Sequence, residues 1–272
     1  MADALKDLAG RKALVTGSAT GLGRSIAVML AERGADLIIN CTRSVTEAEE
    51  TVALCNAHGA QTQLVPADVS TDEGCAALAN AAKRWGQLDI LVNNAGITRH
   101  ARDHSDLKAL SRADFLDTYA VNVAGPYLML QACEDVLQAA HRASGRASTV
   151  LNVSSIAGVT GIGSSVAYAA TKGALNTMTL SLARALAPAI RVNAICPGFI
   201  GTRWFKDEMD ASSYARLEEG VAKSVPLNVA SSPDDIAASA LFFLTDASRH
   251  VTGETLLVDA GMHLGYAPLA AR

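Results

Sequence analysis

Short apolar runs alternate with stretches whose apolar positions return every three or four residues, the two periods of a strand and an amphipathic helix. Residues 11–16 read as a strand, glycines punctuate the turn from Gly17 to Gly23, and Ile26 and Leu30 begin a helical stripe. The apolar run 36–40 suits a strand buried on both faces. A helix follows over 45–59 with Gly59 as its stop, then a strand over 63–68 and a helix from Ser70 and Asp72 to Trp85 and Gly86. Strands at 88–93, 149–153, 190–195 and 254–259 alternate with helices over 115–137, around Tyr168 and Lys172, and over 234–244. Repeated strand, helix, strand order predicts a parallel sheet with right-handed crossovers. Ligands bind such sheets at the carboxyl ends of the strands, where Thr16, Asp68, Asn93, Ser155 and Pro197 fall.

Half of the 272 residues are hydrophobic, enough for a large core, and no linker, charge block or repeat marks a boundary. A single domain over 1–272 is expected, with short tails at 1–7 and 265–272. A net charge of -4 and 4% aromatic residues supply neither a basic patch nor a stacking platform, so no nucleic-acid partner is expected. The N-terminus lacks a basic segment followed by an apolar run, and no stretch is long and apolar enough to span a bilayer. A cytoplasmic protein without membrane contact is the expectation. The five scattered cysteines read as reduced core thiols, and His100 with His104 lacks a third ligand, so no metal site is expected.

The sharpest chemical signal is Tyr168-x3-Lys172. On a helix, residues four apart share a face, so phenol and ammonium project the same way. At ~4 Å and an effective dielectric near 20 their attraction is roughly 4 kcal/mol, enough to bring a phenol towards a pKa of about 7. A tyrosine so poised is a general acid or base. The glycine turn carries a second signal: Gly17 permits a tight turn, Gly21 lets backbone approach a pyrophosphate, and Gly23 allows close helix packing.

Thr16-Gly-x3-Gly-x-Gly23, Asn93-Asn-Ala-Gly96, Ser155 and Tyr168-x3-Lys172, in this order and spacing, resemble the short-chain dehydrogenase/reductase family from about Leu8 to about Leu264. The resemblance implies an α/β fold: a single-domain, doubly wound Rossmann fold with a seven-stranded parallel sheet. It also implies a nicotinamide cofactor and hydride transfer between that cofactor and a ketone or secondary alcohol. Ser155, selected over its neighbour Ser154 by the family's thirteen-residue spacing to Tyr168, would bond the substrate oxygen. Tyr168 would donate the proton in reduction, Lys172 would lower its pKa and bind the cofactor ribose, and Asn122 would hold a proton-relaying water. The glycine turn, with Gly17, Ser18, Thr20, Gly21, Leu22 and Gly23, would take the phosphates, while Asp68 and Val69 resemble the pair that contacts adenine. Asn93, Asn94, Ala95 and Gly96 would support the adenosine ribose and the central strand. Pro197, Gly198 and Thr202 would cover the nicotinamide. Trp204 and Phe205, beside Met209, either cover a hydrophobic substrate or pack a lid on the core, and the substrate lid is favoured because loops at this strand end carry function.

NAD-preferring relatives carry an acid at the end of the second strand, and the corresponding position here is Cys41, with Arg43 two residues on. NADP(H) is therefore expected to be preferred, NAD(H) remaining possible. Val251-Thr-Gly-Glu254 and the 197–200 loop are similar to 3-oxoacyl-acyl-carrier-protein reductases, yet Pro188-Ala189 stands where those often have a basic residue for carrier docking. The substrate is expected to be a small-molecule 3-oxoacyl or other hydrophobic carbonyl compound. An NAD-dependent dehydrogenase of secondary alcohols or hydroxysteroids is the alternative. Retention of Ser155, Tyr168 and Lys172 argues against a non-catalytic nucleotide-binding regulator. Small and apolar residues spread around the 168–186 helix, together with the resemblance, point to a homotetramer.

Overall fold

A computed structural model of the chain describes residues 6–101, 103–203 and 209–265. Seven parallel strands form one sheet in the order β3-β2-β1-β4-β5-β6-β7. The strands are β1 Lys12–Val15, β2 Asp36–Cys41, β3 Thr62–Pro66, β4 Ile90–Asn93, β5 Ser148–Val153, β6 Ile190–Pro197 and β7 Thr255–Val258. The order reverses between β1 and β4, which places a ligand crevice at the carboxyl ends of those two strands.

Strand alternation explains the two apolar layers. Ala13, Val15, Leu37, Ile39, Ile90 and Val92 face one core, shared with α1 Gly21–Glu32 and α2 Val45–Ala57; Leu14, Ile38 and Leu91 face the other. That second core is closed by α3 Asp72–Trp85 and α5 Gly125–Ser144, with Ala183 of α7 Val166–Leu186. A strand covered on both faces must be apolar throughout, which is why these strands read as runs rather than alternations.

The helix expected over 115–137 is longer and interrupted. It runs as α4 Arg112–Tyr119, a π-helical turn Ala120–Ala124, and α5. Ser111 and Asp114 close a reciprocal capping box at its start, and Gly145 in the left-handed conformation ends it. The short α6 Ala157–Thr160 and the helix α8 Ala211–Ser224 have no counterpart in the sequence reading; the last crossover helix, α9 Pro233–Leu244, has one.

Candidate active site

The glycine turn is held by its backbone. Asn94 Nδ2 donates to the carbonyls of Thr16 and Gly17, both at 2.9 Å, and Gly17 donates its N–H to Asn40 Oδ1 at 3.0 Å. Arg24 Nε and Thr51 Oγ1 donate to the Ala19 carbonyl. Gly17 and Gly21 sit at φ of +62° and +55°, which side-chain-bearing residues adopt only at a cost. A Cβ on Gly23 would run into the Gly17 carbonyl and the Asn94 amide, so its packing is against the turn itself. Thr20 caps α1 without any side-chain bond, leaving the first-turn N–H groups of Gly21, Leu22 and Gly23 free for an anion. Ser18 is fully buried and its hydroxyl donates to the Val15 carbonyl, so its part is to shape the turn. This cradle fits the diphosphate of a dinucleotide.

Tyr168 lies in the first turn of α7, where the Ser165 hydroxyl accepts its backbone N–H at 3.1 Å. Its phenol shares a side-chain hydrogen bond with Ser155. Lys172 is buried; its Nζ donates to the Val153 carbonyl at 2.8 Å and lies 5.6 Å from the Tyr168 ring centroid. The two serines are now separated by geometry: Ser155 faces the phenol, whereas the Ser154 hydroxyl is buried and donates to the Lys172 carbonyl at 3.1 Å. Of the two serines, Ser155 is the one beside the Tyr168 phenol.

One expectation needs correction. The phenol is not drawn down towards neutrality; burial pushes Tyr168 up to about 12, with the Ser155 bond opposing and the Cys196 thiol adding slightly. Burial likewise pushes Lys172 down to about 8. The simple Coulomb reading omitted desolvation, which penalises both charged forms and here outweighs the attraction between them. At neutral pH the pair is phenol and ammonium, the form that gives a proton away.

Asn122 is fully buried in the π-helical turn. Its Oδ1 accepts the Ile97 N–H at 2.9 Å, while Nδ2 donates to the Ile97 carbonyl at 2.9 Å and to Thr171 Oγ1 at 3.1 Å. Thr171 in turn donates to the Tyr168 carbonyl at 2.7 Å. Both amide hydrogens of Asn122 are therefore spent on a strut between the turn after β4 and the first turn of α7. Gly96 completes this corner; a Cβ there would lie 3.3 Å from Asn122 Oδ1 and 3.7 Å from Lys172 Nζ.

The other expected positions gather at the same strand ends. Thr16 Oγ1 accepts the N–H groups of Asn94 and Ala95, both at 3.0 Å. Asn93 bonds to Asn152 inside the sheet, a structural role. Val69 is buried with its carbonyl against Gly125, and exposed Asp68 uses one carboxylate oxygen on Ser70. Pro197 ends β6, Gly198 packs on Asp259, and Thr202 lies over Gly21, so the loop after β6 reaches the glycine turn. Arg43 is exposed just before α2, whereas Cys41 is buried in the core beneath it. Trp204 and Phe205 lie outside the described residues. His104 bonds the Gly163 carbonyl, and no cluster of potential metal ligands occurs among the described residues.

Several members of the site were not foreseen. Arg203 pairs with Glu47 at 2.6 Å, joining the loop after β6 to α2 and holding the Glu47 carboxyl below the usual range. Asn40, Arg24 and Thr51, which grip the glycine turn, were also missed. Asn40 had a visible signal as a polar side chain at the end of an apolar strand run.

Comparison with known proteins agrees with this geometry. The family profile described as enoyl-(acyl carrier protein) reductase matches residues 17–263. A 3-oxoacyl-acyl-carrier-protein reductase of Staphylococcus aureus is 35% identical over 257 residues, covering 93% of this chain and 98% of its own. The solved complex of Pseudomonas aeruginosa RhlG with NADP superimposes with a TM-score of 0.85 at 30% identity, covering 97% of this chain and all of that one. A short-chain dehydrogenase/reductase of glucose/ribitol dehydrogenase type from Brucella melitensis gives 0.81 at 27% identity, covering 96% and 99%. With the doubly wound sheet, the glycine turn and the serine, tyrosine and lysine cluster in place, the chain belongs to the short-chain dehydrogenase/reductase family of NAD(P)(H)-using oxidoreductases.

Proposed function

We propose that the protein is an NADP(H)-dependent reductase of hydrophobic carbonyl compounds, 3-oxoacyl thioesters foremost. The observation that carries this reading is the Ser155, Tyr168 and Lys172 cluster at the carboxyl edge of the sheet, beside the glycine turn. A nicotinamide dinucleotide held in this cleft supplies the hydride or accepts it. Lys172 would hold the nicotinamide ribose, and Pro197, Gly198 and Thr202 would lie on the nicotinamide side of the cleft. Ser155 and Tyr168 donate hydrogen bonds to the carbonyl oxygen, where negative charge develops as the carbon is reduced. Tyr168 then gives its proton to that oxygen, and buried Lys172 offsets the phenolate left behind. The strut from Asn122 through Thr171 keeps the Tyr168 turn registered on Gly96 and Ile97.

The preference for NADP(H) rests on the absence of an acid at Cys41 and on exposed Arg43, whose guanidinium makes no hydrogen bond or ion pair among the described residues. A single charge-assisted contact contributes about 1.5 to 3 kcal/mol, roughly ten- to a hundredfold in kcat/KM. The relatives named above support a 3-oxoacyl or related carbonyl substrate. Pro188 and Ala189, in place of a basic carrier-docking residue, favour a free thioester or ketone over one tethered to a carrier. NADPH oxidation measured against 3-oxoacyl thioesters, hydrophobic ketones, steroids and sugars tests the reading. Turnover of the first two classes with NADPH is expected; turnover confined to sugars with NAD would overturn it.

A further inference from the structure

We propose that Asn40 is a positioning residue of the cofactor cleft, holding the glycine turn in register with the adenine-side turn after β3. The proposal rests on the cofactor reading above. Asn40 ends the apolar run of β2 and is 1% exposed. Its Oδ1 accepts the Gly17 N–H at 3.0 Å, and its Nδ2 donates to the carbonyls of Val65 and Ala67, each at 3.1 Å. Its backbone N–H donates to Ser18 Oγ at 3.0 Å, and its carbonyl accepts the Ser18 N–H at 2.8 Å. One residue thus joins three strand ends: the turn leaving β1, β2 itself, and the segment leaving β3 towards Asp68 and Val69.

The remaining grips on the turn point elsewhere. Asn94 ties Thr16 and Gly17 to the end of β4, and Arg24 with Thr51 ties Ala19 to α1 and α2. Asn40 supplies the link to β3. A buried side chain that satisfies one N–H and two carbonyls leaves those groups short when removed, and the turn is free to shift away from β3. That shift separates the free N–H groups of Gly21 to Gly23 from the Val69 side, the two surfaces a dinucleotide must touch together. The proton-transfer cluster is fixed by other bonds, Lys172 to Val153 and Asn122 to Ile97 and Thr171, none of which involves Asn40. Loss of Asn40 therefore weakens cofactor binding and leaves the chemical step alone.

Asn40→Ser and Asn40→Thr test this, the second because a β-branched residue suits a strand and protects folding. Asn193→Ser is the control: Asn193 is equally buried, bridging the Val251 carbonyl and the Glu254 N–H at the far end of the sheet. Calorimetry with NADPH and with 2′,5′-ADP reads binding without turnover, beside KM, kcat and the urea midpoint. Both Asn40 variants should raise Kd for both ligands, and KM for NADPH, at least about fivefold with kcat within about twofold of wild type. Asn193→Ser should lower the urea midpoint without changing Kd. Binding within about twofold of wild type in the Asn40 variants overturns the proposal, as does an equal loss in Asn193→Ser. A wild type that binds neither ligand overturns the cofactor reading itself.

Discussion

In the proposed reaction, the protonation of Tyr168 and Lys172 sets the pH range. Burial moves them in opposite senses, the phenol up to about 12 and the ammonium down to about 8. Below about 8 the site holds a protonated donor beside a cation. As pH rises through that value Lys172 loses its charge, the phenolate left after transfer is no longer offset, and carbonyl reduction slows. The kcat for reduction should therefore fall with an apparent pKa near 8, and a flat profile from about pH 6 to 10 would show that Lys172 stays charged. Arg43→Ala should raise the KM for NADPH roughly ten- to a hundredfold and leave that for NADH unchanged. A change in kcat alone would place Arg43 outside the phosphate site. Ala260 shows a different kind of strain, a side-chain-bearing residue at φ +55°. Such a conformation costs roughly 1 to 2 kcal/mol, partly offset in Ala260→Gly by about 0.5 to 1 kcal/mol of unfolded-chain entropy. A modest rise in urea midpoint is expected; a fall would mean that the Ala260 methyl packs usefully.

At the scale of elements, α7 is placed by a glycine on its neighbour α6. A Cβ on Gly158 of α6 would lie 2.5 Å from the Lys172 carbonyl carbon and 2.7 Å from the Gly173 nitrogen. Backbone cannot yield as a side-chain tip does, so Gly158→Ala should cost about 1 to 3 kcal/mol and displace Lys172. Thermal unfolding and kcat should drop together, and an unchanged kcat would show that α7 does not move. Such contacts explain the limits of the sequence reading. The strands were legible because two-sided burial demands unbroken apolar runs, as in residues 36–40. The α6 turn was not, because one helical turn shows no periodicity, and α8 is largely polar, with Tyr214 as its one buried side chain. The π-helical turn at 120–124 also left no pattern, since it is fixed by Asn122 bonding residues distant in sequence. Ser155, Tyr168 and Lys172 were found by spacing, whereas their pKa values depended on burial that spacing does not report.

The whole molecule leaves apolar side chains uncovered on the α4 to α7 side. Leu116, Tyr127, Val166 and Leu180 are each between 42% and 57% exposed. We expect these faces to pack against further copies in a symmetric tetramer, and light scattering that shows a monomer at micromolar concentration would refute it. No helix among the described residues is long and apolar enough to cross a membrane. In the proposed reaction this cleft binds a dinucleotide and Tyr168 delivers the proton to the carbonyl oxygen. Tyr168→Phe keeps the ring and removes only the hydroxyl, so NADPH titration and turnover of a 3-oxoacyl thioester by that variant separate cofactor binding from proton delivery. A Kd for NADPH close to wild type is expected, with kcat lower by roughly 10² to 10⁴. A variant that retains more than about a tenth of wild-type kcat would contradict it.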